Sequence, residues 1–458
     1  MDTWYERLNT LDSLFLALED RSAHMHVGAV AVFEGPPPPY RNLLALIHAR
    51  LHHVPRYRQR VMPVPLKQGR PVWIDETQFD LEYHVRRTAL PAPGGDGELK
   101  KLVGRLFSQA LDREKPLWEM WLVEGLDEGR FAIVSKTHHC MLDGVSGIDL
   151  ATVLMDREPD SPPPAAPAPW TPRKAPKASH LFVDSLKEQL SHPLRMARQA
   201  LEPNSEAVNL LGQMFSGFKP LMDVVSMGLA PVSPLNVPIG PHRRFEMLEL
   251  PLEKVKEVRK KLRGTVNDIL LATVAGALRR WLGARGETPA ADLRVLVPVS
   301  MRTRKERGTF GNQISAVFCP LPLGEPDPVQ RLRKVHDAMM VVKKSGAAVG
   351  AQTLSRLSDF APPQLLAQAA RLQAVTRMFN LVVTNVPGPQ FPLYLLGKRM
   401  AHCYPQVPLA AQQALGVALL SYDGKIGVGL LGDADAARDL SELPRALEAS
   451  LDELHAAG

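Results

Sequence analysis

Seven prolines fall between Ser161 and Lys177 (SPPPAAPAPWTPRKAPK), and no other feature limits the fold of this 458-residue chain so strongly. Proline fixes φ and lacks a backbone donor, so the tract is neither helix nor central strand and reads as an exposed linker. At this length one ordinary core is too small, so two domains or one large pseudo-duplicated unit are expected on either side of it. We place them at residues 1–157 and 244–458. Between them, residues 158–243 form the linker and a helical crossover that ends in a second loop with Pro231, Pro234, Pro238 and Pro241.

Both blocks mix helical and strand patterns. In the first, residues 11–18, 42–53 and 98–111 carry helical spacing, whereas 27–33, 118–124 and 131–137 are short, apolar and β-branched. Gly129 lies in a short polar turn, which makes the last two strands an antiparallel pair. In the second block, 246–250, 293–299 and 381–384 are strand patterns, and 252–262 is helical. Residues 267–282 form an amphipathic helix with its apolar stripe at Ile269, Leu270, Thr273, Val274, Ala277 and Trp281. A hairpin is expected from 416–421 and 426–430 around Asp423-Gly424.

Composition narrows the class. Apolar content of 45% and charged content of 22% suit a globular protein. No apolar run is long enough to span a bilayer, and acidic residues come too early for a signal peptide. Three scattered cysteines suit a reducing cytoplasm and exclude a disulfide framework or a zinc ribbon. The excess of 55 Lys and Arg over 48 Asp and Glu gives a net charge of +7. No nucleic-acid module accompanies it. Most basic clusters, Arg56-Arg58-Arg60 among them, read as solvated faces. The one at Arg302, Arg304, Lys305 and Arg307 follows a buried-strand pattern and is suited to a phosphorylated cofactor.

The chemistry concentrates at His138-His139-Cys140-Met141-Leu142-Asp143-Gly144, directly after the strand at 131–137. Side chains alternate along a strand, so the two histidines cannot share one cleft or one metal. The arrangement indicates one working imidazole with a structural neighbour, followed by an Asp-Gly turn. Cys140, pointing away from His139, is core rather than nucleophile.

This stretch resembles the HHxxxDG signature of the chloramphenicol acetyltransferase-like superfamily. Within it the chain is similar to the bacterial bifunctional wax ester synthase/diacylglycerol acyltransferase family. Leu11-Asp12 to Glu19, Met25-His26-Val27-Gly28, Pro116-Leu117-Trp118, Asn267-Asp268, Thr384-Asn385-Val386-Pro387-Gly388-Pro389 and Ser421-Tyr422-Asp423-Gly424 match its motifs in order. His24 departs from the pattern, where proline is expected. The resemblance implies an α/β fold with mixed sheets of the α+β kind, in two chloramphenicol acetyltransferase-like domains with a substrate tunnel between them. It also implies acyl transfer from acyl-CoA, a co-substrate with no further cofactor, to a fatty alcohol or diacylglycerol. No metal is expected. The substrates imply a cytoplasmic enzyme bound peripherally to the inner membrane or to lipid inclusions.

A hydroxyl attacking a thioester needs a base, and His139 is assigned that role by direct transfer. The resemblance makes Asp143 a partner of Arg302 that holds the loop, with His138 and Gly144 supporting the site. Asn267 is either an oxyanion donor at a helix start or an ordinary N-cap. Pro116, Leu117 and Trp118, with Asn385, Pro387 and Gly388, are expected to shape the substrate tunnel. Two rival functions stand: a condensation-type N-acyltransferase of the same fold, and a non-catalytic protein coating lipid inclusions. A glycerophosphate acyltransferase is disfavoured because its phosphate-binding motif is missing. Chain length, acceptor preference and oligomeric state are not set by these residues.

Overall fold

The computed structural model describes residues 4–141, 153–162, 169–188, 228–287, 291–300, 314–344 and 377–458. Asp143, Gly144 and Arg302 lie outside the described residues, as does the greater part of the crossover.

The first block runs β1 (Glu6–Arg7), α1 (Thr10–Leu18), β2 (His26–Phe33), α2 (Tyr40–Arg50), β3 (Gln59–Met62), β4 (Val72–Asp75), α3 (Leu81–His84), β5 (Val85–Ala89), α4 (Asp96–Phe107), β6 (Trp118–Glu124) and β7 (Phe131–His138). The second runs β8 (Arg243–Pro251), α5 (Leu252–Leu262), α6 (Val266–Ala284), β9 (Leu293–Ser300), β10 (Ile314–Leu321), α7 (Pro328–Lys344), β11 (Leu381–Pro387), β12 (Tyr394–Leu395), β13 (Lys398–Gln406), β14 (Leu415–Tyr422), β15 (Lys425–Asp433) and α8 (Leu443–Ala456). These elements build two six-stranded mixed sheets, ordered β12-β13-β2-β7-β6-β5 and β10-β9-β11-β14-β15-β8, and a small sheet β1-β4-β3. The mixed α/β architecture expected from the sequence is present.

Central position explains the composition of β7. It pairs antiparallel with β2 on one edge and β6 on the other, and its alternate residues enter two different cores, so both faces are covered as well. Phe131, Ala132, Ile133 and Val134 are accordingly buried, the continuous apolar run that a doubly covered strand requires. Helix α6 is buried on more than the expected stripe, because α7 and α8 pack against it while its inner face meets the second sheet. The hairpin β14–β15 turns at Asp423 and Gly424, both at positive φ, as a two-residue turn requires.

Three features depart from the sequence reading. Residues 394–406, within the span assigned to the second block, form β12 and β13 and sit in the first sheet, where β13 pairs antiparallel with β2. The two blocks are therefore interleaved. The described part of the proline tract, at 169–177, is tied down. Arg173 forks onto Asp75 with Nε–Oδ2 and Nη2–Oδ1 distances of 2.9 Å, and its backbone N–H donates to the same carboxylate. Trp170 lies against the Arg58 guanidinium, 5.1 Å from it. The basic triplet is likewise engaged rather than simply solvated: Arg56 bonds Glu6 and Gln59, and Arg60 pairs with Glu76.

Candidate active site

The strand β7 ends at His138, and the chain turns through a short 3₁₀ segment, His139–Met141. Three backbone contacts hold this corner. His138 N–H donates to Leu117 O at 2.9 Å, His139 N–H donates to Met25 O at 2.8 Å, and Cys140 N–H donates to His138 Nδ1 at 3.1 Å. The Pro116-Leu117-Trp118 and Met25-His26-Val27-Gly28 segments thus grip the turn from either side.

His139 lies under α1. The Phe15 ring stacks on its imidazole at 3.9 Å between centroids with planes 29° apart. Burial lowers its pKa to about 4, so the ring is neutral at physiological pH. Its Nδ1 is buried without a hydrogen-bond partner among the described residues. His138 points elsewhere. It is fully buried, and burial lowers its pKa to about 3. The two rings thus lie in different surroundings, His139 against Phe15 and His138 toward Glu19. Burial also raises the Cys140 thiol pKa, with Asp12 and Glu19 adding to the effect, and the thiol is not a nucleophile at neutral pH.

A cluster that the motif reading left without a role surrounds His138. Glu19, the C-cap residue of α1, has a side chain only 7% exposed. Its Oε1 lies 3.2 Å from His26 Nε2, and its Oε2 lies 2.9 Å from Arg113 Nε and 3.7 Å from His138 Nε2. Burial works to raise the Glu19 pKa, but His26, His138 and Arg113 outweigh it and bring it down to about 2. His26 faces His138 across the β2–β7 pair, and His24 stacks on His26 at 5.2 Å. Only the spacing from Glu19 to His26 at the helix-to-strand junction hinted at this in the sequence.

The remaining candidates separate by block. Leu117 and Trp118 are buried; Trp118 stacks on His84 at 4.7 Å and donates from Nε1 to Tyr57 O at 2.9 Å. They brace the His138–His139 corner from the core side. Asn267 is the second residue of α6 and not its cap: Thr265 is the N-cap, closing a capping box with Asp268. The N-cap alternative for Asn267 is thereby removed. Its Oδ1 instead accepts from Asn385 Nδ2 at 3.4 Å, bringing two of the expected residues together. Pro387 ends β11, and Gly388 follows with its N–H on Ser421 O at 2.9 Å. A Cβ at Gly388 would overlap that same carbonyl oxygen.

Comparison with known proteins fits this geometry. Residues 8–270 match the wax ester synthase/diacylglycerol acyltransferase catalytic domain, and residues 310–455 match the C-terminal domain of that family. The chain is 35% identical over 453 residues to the protein named probable diacylglycerol O-acyltransferase tgs1 of Mycobacterium tuberculosis, covering 96% of this chain and 94% of the relative. Among solved structures it is similar to the wax ester synthase/diacylglycerol acyltransferase from Marinobacter aquaeolei VT8, with a TM-score of 0.68, 30% identity and 98% of each chain covered. The starter condensation domain of rhizomide synthetase shares the fold at a TM-score of 0.58 and 13% identity, over 99% of this chain and 95% of that one.

Proposed function

The chain belongs to the wax ester synthase/diacylglycerol acyltransferase family, and on that premise we propose that His139 is the general base of an acyl-CoA-dependent O-acyltransferase that esterifies fatty alcohols and diacylglycerol. The observation that carries the assignment is the fixed position of a neutral imidazole at the end of β7, its backbone N–H held by the Met25 carbonyl and its ring stacked on Phe15.

A free hydroxyl is a weak nucleophile at neutral pH. His139 Nε2 takes its proton as the oxygen attacks the thioester carbonyl. The tetrahedral intermediate then collapses, the carbon–sulfur bond breaks, and the imidazolium returns the proton to the departing CoA thiolate. Protons and electrons balance without an acyl-enzyme. The apolar surroundings disfavour the imidazolium, so the protonated ring is short-lived and the return of the proton is driven forward. Asn267 is assigned to the oxyanion. With its Oδ1 occupied by Asn385, its amide hydrogens are the atoms left to donate, and they sit in the first turn of α6, where the free N–H groups add positive potential.

The lipid substrates favour a cytoplasmic enzyme working at the surface of the inner membrane or of lipid inclusions. Among the described residues no helix is long and apolar enough to cross a membrane. The test supplies palmitoyl-CoA with hexadecanol, dipalmitoylglycerol or a long-chain amine, and follows thiol release and product. Release with the hydroxyl acceptors that vanishes in His139→Ala is expected. Release with the amine alone would move the chain to the condensation-type reading, and full activity in His139→Ala would overturn the mechanism.

A further inference from the structure

The Glu19 cluster lies beneath the catalytic corner and takes no part in the steps above. A backbone N–H can only donate, so the 3.1 Å contact from Cys140 N requires His138 Nδ1 to be unprotonated. The neutral ring must then carry its hydrogen on Nε2. That hydrogen sits in a buried site, and the acceptor it faces is the Glu19 carboxylate, whose Oε2 is 3.7 Å away. The other tautomer would set an Nδ1 hydrogen against the Cys140 hydrogen. The field of a carboxylate at this distance, in an interior of low dielectric, selects between the two forms.

We propose that Glu19 is a positioning residue for acyl transfer: it holds His138 as the Nε2–H tautomer, which fixes the Cys140 N–H and so the turn that aims His139. The inference rests on the reading of His139 as the base. Glu19 is itself built in: it caps the end of α1, the helix that also supplies Phe15 to the His139 ring. Arg113 joins the two, because its Nη2 donates to Leu16 O in the last turn of α1 while its Nε bonds Glu19. His26 completes the carboxylate's surroundings from the start of β2, next in the chain to the Met25 carbonyl. The same carboxylate thus ties together the helix over the catalytic ring, the strand beside it and the tautomer beneath it.

Substitutions separate the two ends of this chain of contacts. Asparagine at 138 places a carbonyl oxygen near the Nδ1 position and can accept from the N–H two residues on, as in an Asx turn. Glutamine reaches toward Glu19 and leaves Cys140 N–H unpaired. At position 19, Glu19→Met removes the acceptor at similar length, and Arg113 (51% exposed) can turn to water.

The test combines turnover with histidine ¹⁵N spectra of the full chain, in which the His138 signals are identified by their loss in His138→Asn. The expected result is an Nε2–H tautomer in the parent and a shift away from it in Glu19→Met. In that variant kcat falls by about 10- to 100-fold with KM for palmitoyl-CoA unchanged, the size of effect that follows from misaiming a reacting group. His138→Asn is expected to retain at least tenfold more turnover than His138→Gln. A folded Glu19→Met that keeps its kcat, or in which His138 stays Nε2–H, overturns the proposal. His139→Ala is run beside it. Loss there with an unaffected Glu19→Met sinks the Glu19 proposal alone, whereas retained turnover in His139→Ala sinks the base assignment and this proposal with it.

Discussion

Two adjacent histidines of one motif meet opposite demands, and the local environment decides which does what. His138 is the last residue of β7 and is consumed by internal contacts, while His139 begins the turn, its ring stacked under Phe15. The residues from 116 to 118 show the converse: a motif that suggests a substrate wall is built into the core. Trp118 is only 2% exposed, sandwiched with His84 and set edge-on to Tyr57. Trp118→Phe keeps the ring stacking but leaves the Tyr57 carbonyl without its indole donor. The expected cost is about 1–3 kcal/mol of stability, the penalty for an unsatisfied buried group, with KM for acyl-CoA and alcohol unchanged. Denaturation and steady-state kinetics on the same preparation check both halves. A raised KM with intact stability would return Trp118 to the substrate wall.

At the scale of elements, legibility followed periodicity. The strand at 131–137, the helix at 252–262, the long helix α6 and the hairpin at Asp423-Gly424 all appear close to their expected bounds, because each has a repeating apolar pattern or a turn signal. β13 was missed for a physical reason. Its sequence, KRMAHCYPQ, contains a proline and no clean alternation, and its place in the first sheet depends on pairing with β2 over three hundred residues away. Local pattern carries no information about such a partner. The Asp75–Arg173 fork was invisible on the same ground, since a proline tract announces only what it cannot form. That fork makes the tract a strap. Asp75 is buried with Gln59 as its other described partner, so Arg173→Ala leaves a carboxylate nearly unpaired. Limited proteolysis should then cut near residue 173 several-fold faster, with the cores intact; an unchanged cleavage rate would mean that the remaining contacts of the tract hold it.

The whole molecule is held together where its two blocks exchange backbone. β13 lies in the first sheet, and its carbonyls at Cys403 and Pro405 rest on Gly427 and Gly429 of β15 in the second, where any Cβ would collide. Arg243 adds a buried crossing contact, bonding Ser22 O from the edge of the second sheet. Such a structure loses stability as a unit, and its buried imidazoles set the pH at which it does. Burial lowers the pKa of His26 to about 4, of His138 to about 3 and of His139 to about 4, and lowers His24 and His84 in the same direction. Unfolded, each titrates near the ordinary value of about 6.5. Between pH 6.5 and 4 the unfolded chain therefore binds protons that the folded chain refuses, so stability is fully present above 6.5 and falls as the pH drops. Glu19, with a folded pKa of about 2, acts in the same direction but only below about 4.5, which keeps the histidine window separate. One such group changes stability by at most about 1.4 kcal/mol per pH unit. Several together predict a steeper loss between pH 6 and 5, measurable by urea denaturation at fixed pH. His139→Ala should remove up to one proton from that slope. A slope in the parent no steeper than one proton would mean that water reaches these rings, and the desolvation argued for His139 would fall with it.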